Sequence, residues 1–308
     1  MPTIDLSTPP PPPAGLLDAL PRRVALTLPE LRLVAERAGD APLPFDVRDP
    51  VSGSSFDGRL GESRGTAEDS AYAGALAALH DPATSLERRG LLGDGGQDEG
   101  LLGAVGLLAT PSTAVDIDVS AAGIHARSWH RQTDDAVATL STVDGIVFEI
   151  AWFASAQWPQ ELARVAEPPA DTGLRGSEVP PYVDLPYELA DASAEAIRSG
   201  RADLVPVLAA QHAGSVVGAD DQPYSESDVA SILGALSAEA QGRLRALVAD
   251  VSGDQTAVVG VVSWTLLADG WHALRPRRAG DDHRVAIGRV DPSDLAGELA
   301  PVLAEVTG

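Results

Sequence analysis

Two stretches of the chain, one beginning at Ala121 and the other at Ala268, echo each other, and this repetition constrains the fold more than any other feature. Ala121-Ala122-Gly123-Ile124-His125-Ala126 matches Ala268-Asp269-Gly270-Trp271-His272-Ala273. Eleven residues after each glycine comes an acidic pair, Asp134-Asp135 and Asp281-Asp282, which leads into Val137-Ala138 and Val285-Ala286. Farther along, Glu161-Leu162-Ala163-Arg164-Val165 matches Glu298-Leu299-Ala300-Pro301-Val302. The physical reading is a strand–turn–strand–turn–strand–helix unit used twice. Two such units can pack with pseudo-two-fold symmetry and cover each other's apolar faces. Consecutive hairpins make the sheet antiparallel, so the expected class is α+β with a pseudo-two-fold internal duplication. The repeat is far too long for a solenoid.

Periodicity along the chain fits this frame. Residues 1–21 read as a proline-rich tail, because the run Pro9 to Pro13 favours extended polyproline II over a packed element. A first half covers 22–167. It opens with alternating Val24, Leu26 and Leu28, followed by a helix whose Thr27 and Glu30 have capping-box spacing. Leu31, Val34, Ala35 and Ala38 form that helix's apolar stripe, and Gly39 ends it. After a Gly/Pro/Ser-rich loop over 40–66, helices are expected near 67–80 and 97–109. Strands are expected near 115–119, 124–132, 136–142 and 146–153, and a helix near 159–167. Residues 168–184 read as a second proline-rich joint. The second half, 185–308, carries helices near 186–199, 201–211 and 225–236, strands near 257–267, 271–277 and 284–290, and a helix near 293–306. Residues 242–250 fit two readings, since Leu244, Leu247, Val248 and Val251 suit a helix while Gly242 and Gly253 suit a hairpin.

Composition removes whole classes of function. Acidic residues number 45 against 22 basic ones, a formal charge of −23 that repels a phosphate backbone and anionic lipid alike. Cys, Lys and Asn are absent and every basic side chain is Arg. No thiolate nucleophile or zinc site, no disulfide, no Schiff-base lysine and no Walker lysine can therefore exist. The lack of disulfides agrees with a reducing compartment. No stretch approaches the ~20 apolar residues of a membrane span, and the prolines near the N-terminus break the apolar run that a secretory leader needs.

Catalytic patterns are sparse. Gly61-Glu62-Ser63-Arg64-Gly65 fits Gly-x-Ser-x-Gly, but a nucleophile elbow needs a strand before the serine, and Ser52 to Gly58 read as loop. His125 and His130 are five apart in an expected strand and so point to opposite faces. His125 and His272 hold equivalent places in the echo and read as turn-side structural histidines. Asp281-Asp282-His283 reads as a solvated turn, and Asp116 and Asp118 as the outer face of an amphipathic strand. No cofactor and no metal are expected.

The segments Arg23-Val24-Ala25-Leu26-Thr27-Leu28-Pro29-Glu30-Leu31, Arg89-Gly90-Leu91-Leu92, Leu108-Ala109-Thr110-Pro111 and Val261-Val262-Ser263-Trp264 resemble the EspG family, the cytosolic chaperones of type VII (ESX) secretion. The likeness runs over roughly 22–308. The chain departs from it at Leu267-Ala268-Asp269-Gly270-Trp271, where the family's hairpin often carries an arginine. The resemblance implies a central antiparallel β-sheet core flanked by two helical bundles. It also implies a cytoplasmic, non-catalytic protein that binds PE/PPE-like secreted helical heterodimers and shields their apolar tip before export. The alternatives are a serine hydrolase using Ser63 and a scaffold of another assembly.

Two regions are expected to touch such a partner. One is the turn Val119, Ser120, Ala121, Ala122 and Gly123, whose small side chains allow close backbone approach. The other is a helical group with Tyr187, Leu189, Val229, Ile232, Leu233 and Leu236. The acidity of the chain further predicts a polar rim that prefers exposed Arg or Lys on the partner.

Overall fold

The structure, a computed structural model, describes residues 22–45, 67–92, 98–253, 255–280 and 282–306. The tail, the Gly61–Gly65 motif with Ser63, the turn Gly93 to Gly96, and Asp281 lie outside the described residues. In chain order, β1 (Arg22–Thr27) leads to α1 (Leu28–Arg37), α2 (Ala67–Ala77), α3 (Pro82–Arg88) and α4 (Glu99–Ala109). Four strands follow, β2 (Thr113–Ala121), β3 (Ile124–Thr133), β4 (Ala136–Thr142) and β5 (Val147–Ala154), and then α5 (Trp158–Ala166). The pattern starts again with β6 (Tyr182–Pro186), α6 (Tyr187–Arg198), α7 (Val205–Gln211) and α8 (Glu226–Ala238). It closes with β7 (Gly242–Asp250), β8 (Ala257–Leu267), β9 (Gly270–Ala279), β10 (Asp282–Val290) and α9 (Leu295–Val306).

Two compact units divide the chain: the described parts of 1–112 with 130–158, and those of 113–129 with 159–308. In the first unit β1 runs directly into α1. The Glu30 carboxylate accepts from the Thr27 N–H at 2.7 Å while the Thr27 hydroxyl accepts from the Glu30 N–H, so the expected capping box forms. Leu31, Val34 and Ala35 of α1 are buried. Strand β5 pairs antiparallel with β1 and with β4, so that Ile150 has Val24 on one side and Leu140 on the other. Helix α3 has no expected counterpart. It starts on an Asp81 cap that accepts from the Thr84 N–H at 2.9 Å, and seven residues are too few to show a stripe.

In the second unit β2 pairs antiparallel with β7, Ile117 opposite Ala246, and β7 pairs with β8. The ambiguous 242–250 segment is therefore a strand. Buried Leu244, Ala246 and Val248 alternate with exposed Arg243 and Arg245, a period of two that no helix supports. Gly242 is required where β7 begins, since a Cβ there would sit 2.6 Å from the Ser120 carbonyl oxygen. Strands β8, β9, β10 and β6 continue the antiparallel series. Helix α9 packs on β8 and β7 and reaches β9 through Glu298. Gly260 lies against Val302, and Arg275 donates to Glu298 at 2.9 Å. Helices α6, α7 and α8 cover the other face at the β6 end, where Val183, Leu185, Val285 and Ile287 join Leu189, Val205, Val229, Ile232 and Leu233 in one core. Strand β6 begins inside the segment read as a proline-rich joint, and five residues bounded by prolines carry too little periodicity to announce a strand.

The hydrogen-bonded strand order is β1-β5-β4-β3-β2-β7-β8-β9-β10-β6. Substituting β6 to β10 for β1 to β5 reproduces the same order read from the other end. Helical blocks also recur, between β1 and β2 and between β6 and β7, and α5 and α9 each follow the last strand of a series after a 3₁₀ turn. The class is α+β, and the duplication resides in the connectivity. The six-residue echo, however, falls on turns that are not equivalent. Ala121–Ala126 spans the β2–β3 turn, whereas Ala268–Ala273 spans the β8–β9 turn, whose counterpart is the β3–β4 turn. Only the Glu-Leu-Ala match of α5 and α9 occupies corresponding places. Both turn motifs pair a glycine at positive φ with a histidine bonded to an aspartate, His125 to Asp118 and His272 to Asp269, so local turn chemistry accounts for the likeness.

Candidate partner-binding groove

An open groove of about 1040 Å³ lies in the second unit, where the α6–α8 bundle stops short of covering the sheet. Strand pairing explains its floor. Ile287 faces Leu274, Val285 faces Pro276, and His283 faces Arg278 across the β9–β10 hairpin. Side chains two apart share a face, so each of these pairs points the same way as the bundle core. The first pair joins that core, the second is its margin, and the third is exposed. Val261 and Ser263 of β8 extend the floor, and Tyr187, Glu188, His212 and Ser215 form the bundle-side wall. The reverse face of β9 is already taken, because Arg275 alternates with the floor residues and bonds to α9.

Two groove side chains are apolar and wet. Tyr187 is 58% exposed and Val261 39%, so apolar surface in the groove is open to solvent. The charged lining has two layers. Arg277 and Arg284 are committed to Asp184, a carboxylate that is only 5% exposed. Arg284 donates to it at 2.5 Å and also to the Ser215 carbonyl at 2.8 Å, while Arg277 donates to it at 3.0 Å and to the Tyr182 hydroxyl. Arg278 and His283, one strand position away, are exposed and have no hydrogen-bond or ion-pair partner among the described residues. With Arg277 and Arg284 matched to Asp184, the lining is left with Arg278 as its arginine without a partner among the described residues, and Glu188 and Asp282 as its exposed acids. The rim expected to be acidic thus carries an exposed arginine beside its acids. Charge averaged over 308 residues does not describe one hairpin: residues 270–290 hold five arginines and two aspartates.

The residues singled out from sequence separate into three fates. Leu189, Val229, Ile232 and Leu233 are 0–4% exposed within the bundle core, so their stripe is spent on packing α6 and α8 against the sheet and offers a partner no surface. Leu236 packs against the same core. Tyr187, at the start of α6, points into the groove. In the β2–β3 turn, Val119 and Ala121 are buried and Ser120 is half-buried, while Ala122 and Gly123 are exposed at φ +50° and +77°. Two successive positive φ values make this a tight hairpin turn of the primed type. None of these five residues lines the groove. Sequence reading missed the floor residues of β8, β9 and β10, although the run Arg275-Pro276-Arg277-Arg278 in a chain this acidic is a usable signal.

The histidines divide as their strand positions dictate. His130 is fully buried and its Nδ1 accepts from the Trp158 indole N–H at 2.9 Å, while His125 is exposed and paired with Asp118 at 2.8 Å. No cluster of three or more His, Asp or Glu residues suited to a metal ion occurs among the described residues. No described helix is long and apolar enough to cross a membrane.

No protein-family model matches the chain. No curated protein matches it either. Among solved structures it is similar to that of the Mycobacterium tuberculosis type VII secretion system chaperone EspG5 in complex with a PE25-PPE41 dimer. The match covers 92% of this chain and 96% of that chain, with a TM-score of 0.58 at 13% identity. The two share a fold.

Proposed function

We propose that this chain is a cytosolic chaperone of a type VII (ESX) secretion system which catalyses nothing, binds a PE/PPE-like helical heterodimer and shields its apolar tip before export. One observation carries the reading: the fold corresponds nearly end to end with EspG5, a protein solved in complex with a PE25-PPE41 dimer. The groove supports it physically. An apolar centre at Tyr187, Val261, Leu274 and Pro276 bounded by charged side chains is the anatomy of a reversible interface. A sheet floor with a helical wall suits a helix end laid into a groove. The exposed turn Ala122-Gly123 is a second contact, where the missing or minimal side chains let a partner's backbone approach.

Co-expression with the small helical secretion substrates of its own host tests this. A three-chain complex on size exclusion, with the heterodimer kept soluble, is the expected result. Val261→Asp places a charge on the groove floor and should release the heterodimer while the chaperone stays folded. Heterodimers that are soluble and folded yet remain unbound would overturn the reading.

A further inference from the structure

The β9–β10 hairpin gives the groove a polarity along its length, and we infer that it selects a helical partner carrying acidic residues about two turns from its apolar anchor. This inference rests on the groove reading above and adds the partner's chemistry to it. Leu274 and Pro276 mark the apolar end of the floor, and the cross-strand pair Arg278 and His283 marks the other. Four residues of strand separate Leu274 from Arg278, about 13 Å at the usual strand rise. An α-helix laid along β9 covers that distance in about eight to nine residues. A partner helix with an apolar side chain over Leu274 therefore brings a residue eight positions on to Arg278 and His283.

The charges sort the possible occupants. Arg277 and Arg284 already have Asp184, so they hold the hairpin in place and add little attraction. Arg278 is the free cation on the groove face among the described residues, with His283 beside it and His212 on the wall. Glu188 and Asp282 are the acidic groups in the lining, and both are exposed. A lysine or arginine arriving at Arg278 would meet a like charge. A glutamate or aspartate would gain a bidentate arginine partner. The strongly negative remainder of the surface repels an acidic partner everywhere else, so the hairpin also fixes where such a partner lands.

Three helical-hairpin peptides test the point. Each has a leucine tip, and at the position eight residues away they carry Glu, Gln or Lys. Fluorescence anisotropy against the full chain at 50 mM NaCl should rank them Glu, then Gln, then Lys, with at least about a tenfold gap between the ends, or 1.4 kcal/mol. The gap should shrink at 300 mM NaCl, where screening shortens the reach of exposed charges. Arg278→Glu with His283→Glu, both exposed and with thermal unfolding checked, should reverse the order. Equal affinities for the three peptides, or preference for Lys in the unaltered chain, would overturn the inference. If Val261→Asp abolishes binding of all three but they bind equally before it, the charge preference fails while the groove reading stands. If no peptide binds, or Val261→Asp changes nothing, both fall together.

Discussion

Gly260 of β8 and Val302 of α9 meet so closely that a Cβ added to the glycine would lie 2.6 Å from the valine Cγ1. Real carbon atoms do not approach that far, and a β-branched side chain in a helix has little rotamer freedom with which to yield. The glycine is thus the position that lets α9 sit on the sheet. Gly260→Ala should destabilise the chain by about 1–3 kcal/mol, the usual range for overpacking. Val302→Ala introduced with it should restore part of the loss. Urea unfolding of the two single variants and the double variant gives the coupling, and strictly additive effects would mean that the contact does not constrain α9.

Glu30 ties part of the chain's acid stability to a helix cap. Burial pushes its carboxyl up. The Thr27 backbone N–H, the Ser85 and Thr27 hydroxyls and the Arg89 guanidinium together pull it down further, leaving it below its ordinary value. A carboxyl lowered in the folded state stabilises the fold above its unfolded pKa and loses that contribution as pH falls through the folded value. Asp144 adds in the same direction. Burial raises it, but the backbone N–H groups of Val147 and Ile146 outweigh that effect. Stability of the native chain should fall steadily below about pH 4.5. Glu30→Gln should be less stable by about 1 kcal/mol at neutral pH, as for loss of a cap. That difference should close as the native chain is acidified. Tm against pH for both proteins is the measurement, and parallel curves would sink the assignment.

What could be read from the sequence depended on how far apart the interacting groups lie. Thr27 and Glu30 are three residues apart, and their reciprocal bonds follow from spacing alone. The stripe Val229, Ile232, Leu233 and Leu236 was equally visible as a pattern. Periodicity says only that a helix has an apolar face, and here the bundle core claims it rather than a partner. Strand β7 became a strand because Ala246 lies opposite Ile117 and Val262 lies opposite Ala246, neighbours that no local window contains. The repeated turn motif misled for a related reason, since a glycine, a histidine and a nearby aspartate solve the same local problem at two unrelated corners. The groove floor was the least legible part. It exists only once Val261, Pro276 and Val285 are set side by side by three strand registers and left uncovered by α6 and α7.

Trp158 and His130 form a buried polar pair whose geometry also fixes a tautomer. The indole can only donate, so His130 Nδ1 must accept and its proton resides on Nε2. His130→Leu would leave the indole N–H buried without its acceptor, at a cost of about 1–3 kcal/mol. His130→Asn should recover part of this if the amide oxygen reaches the indole. Thermal unfolding gives the cost, and the near-ultraviolet circular dichroism of Trp158 reports whether the ring has moved. A leucine variant as stable as the native chain, with an unchanged tryptophan spectrum, would show that the bond contributes nothing net.

Asp184 separates its two arginines by depth, and their removal should differ accordingly. Arg284 is 16% exposed at its side chain and donates to Asp184 Oδ1, to the Asp184 carbonyl and to the Ser215 carbonyl, so it ties β10 to β6 and to the segment after α7. Arg277 is 58% exposed and reaches Asp184 from the solvent side. Arg284→Ala should cost about 2–4 kcal/mol, since it leaves a buried carboxylate with only its solvent-side arginine and removes the donor from the Ser215 carbonyl. Arg277→Ala should cost no more than about 1 kcal/mol, as an exposed ion pair does. Adding Asp184→Ala to Arg284→Ala should recover stability, because the dominant penalty is the carboxylate left without its inner partner. Chemical denaturation of the four proteins decides the matter. Equal costs for the two arginines, or a double variant less stable than Arg284→Ala alone, would mean that the pair is held by the sheet and does not hold it.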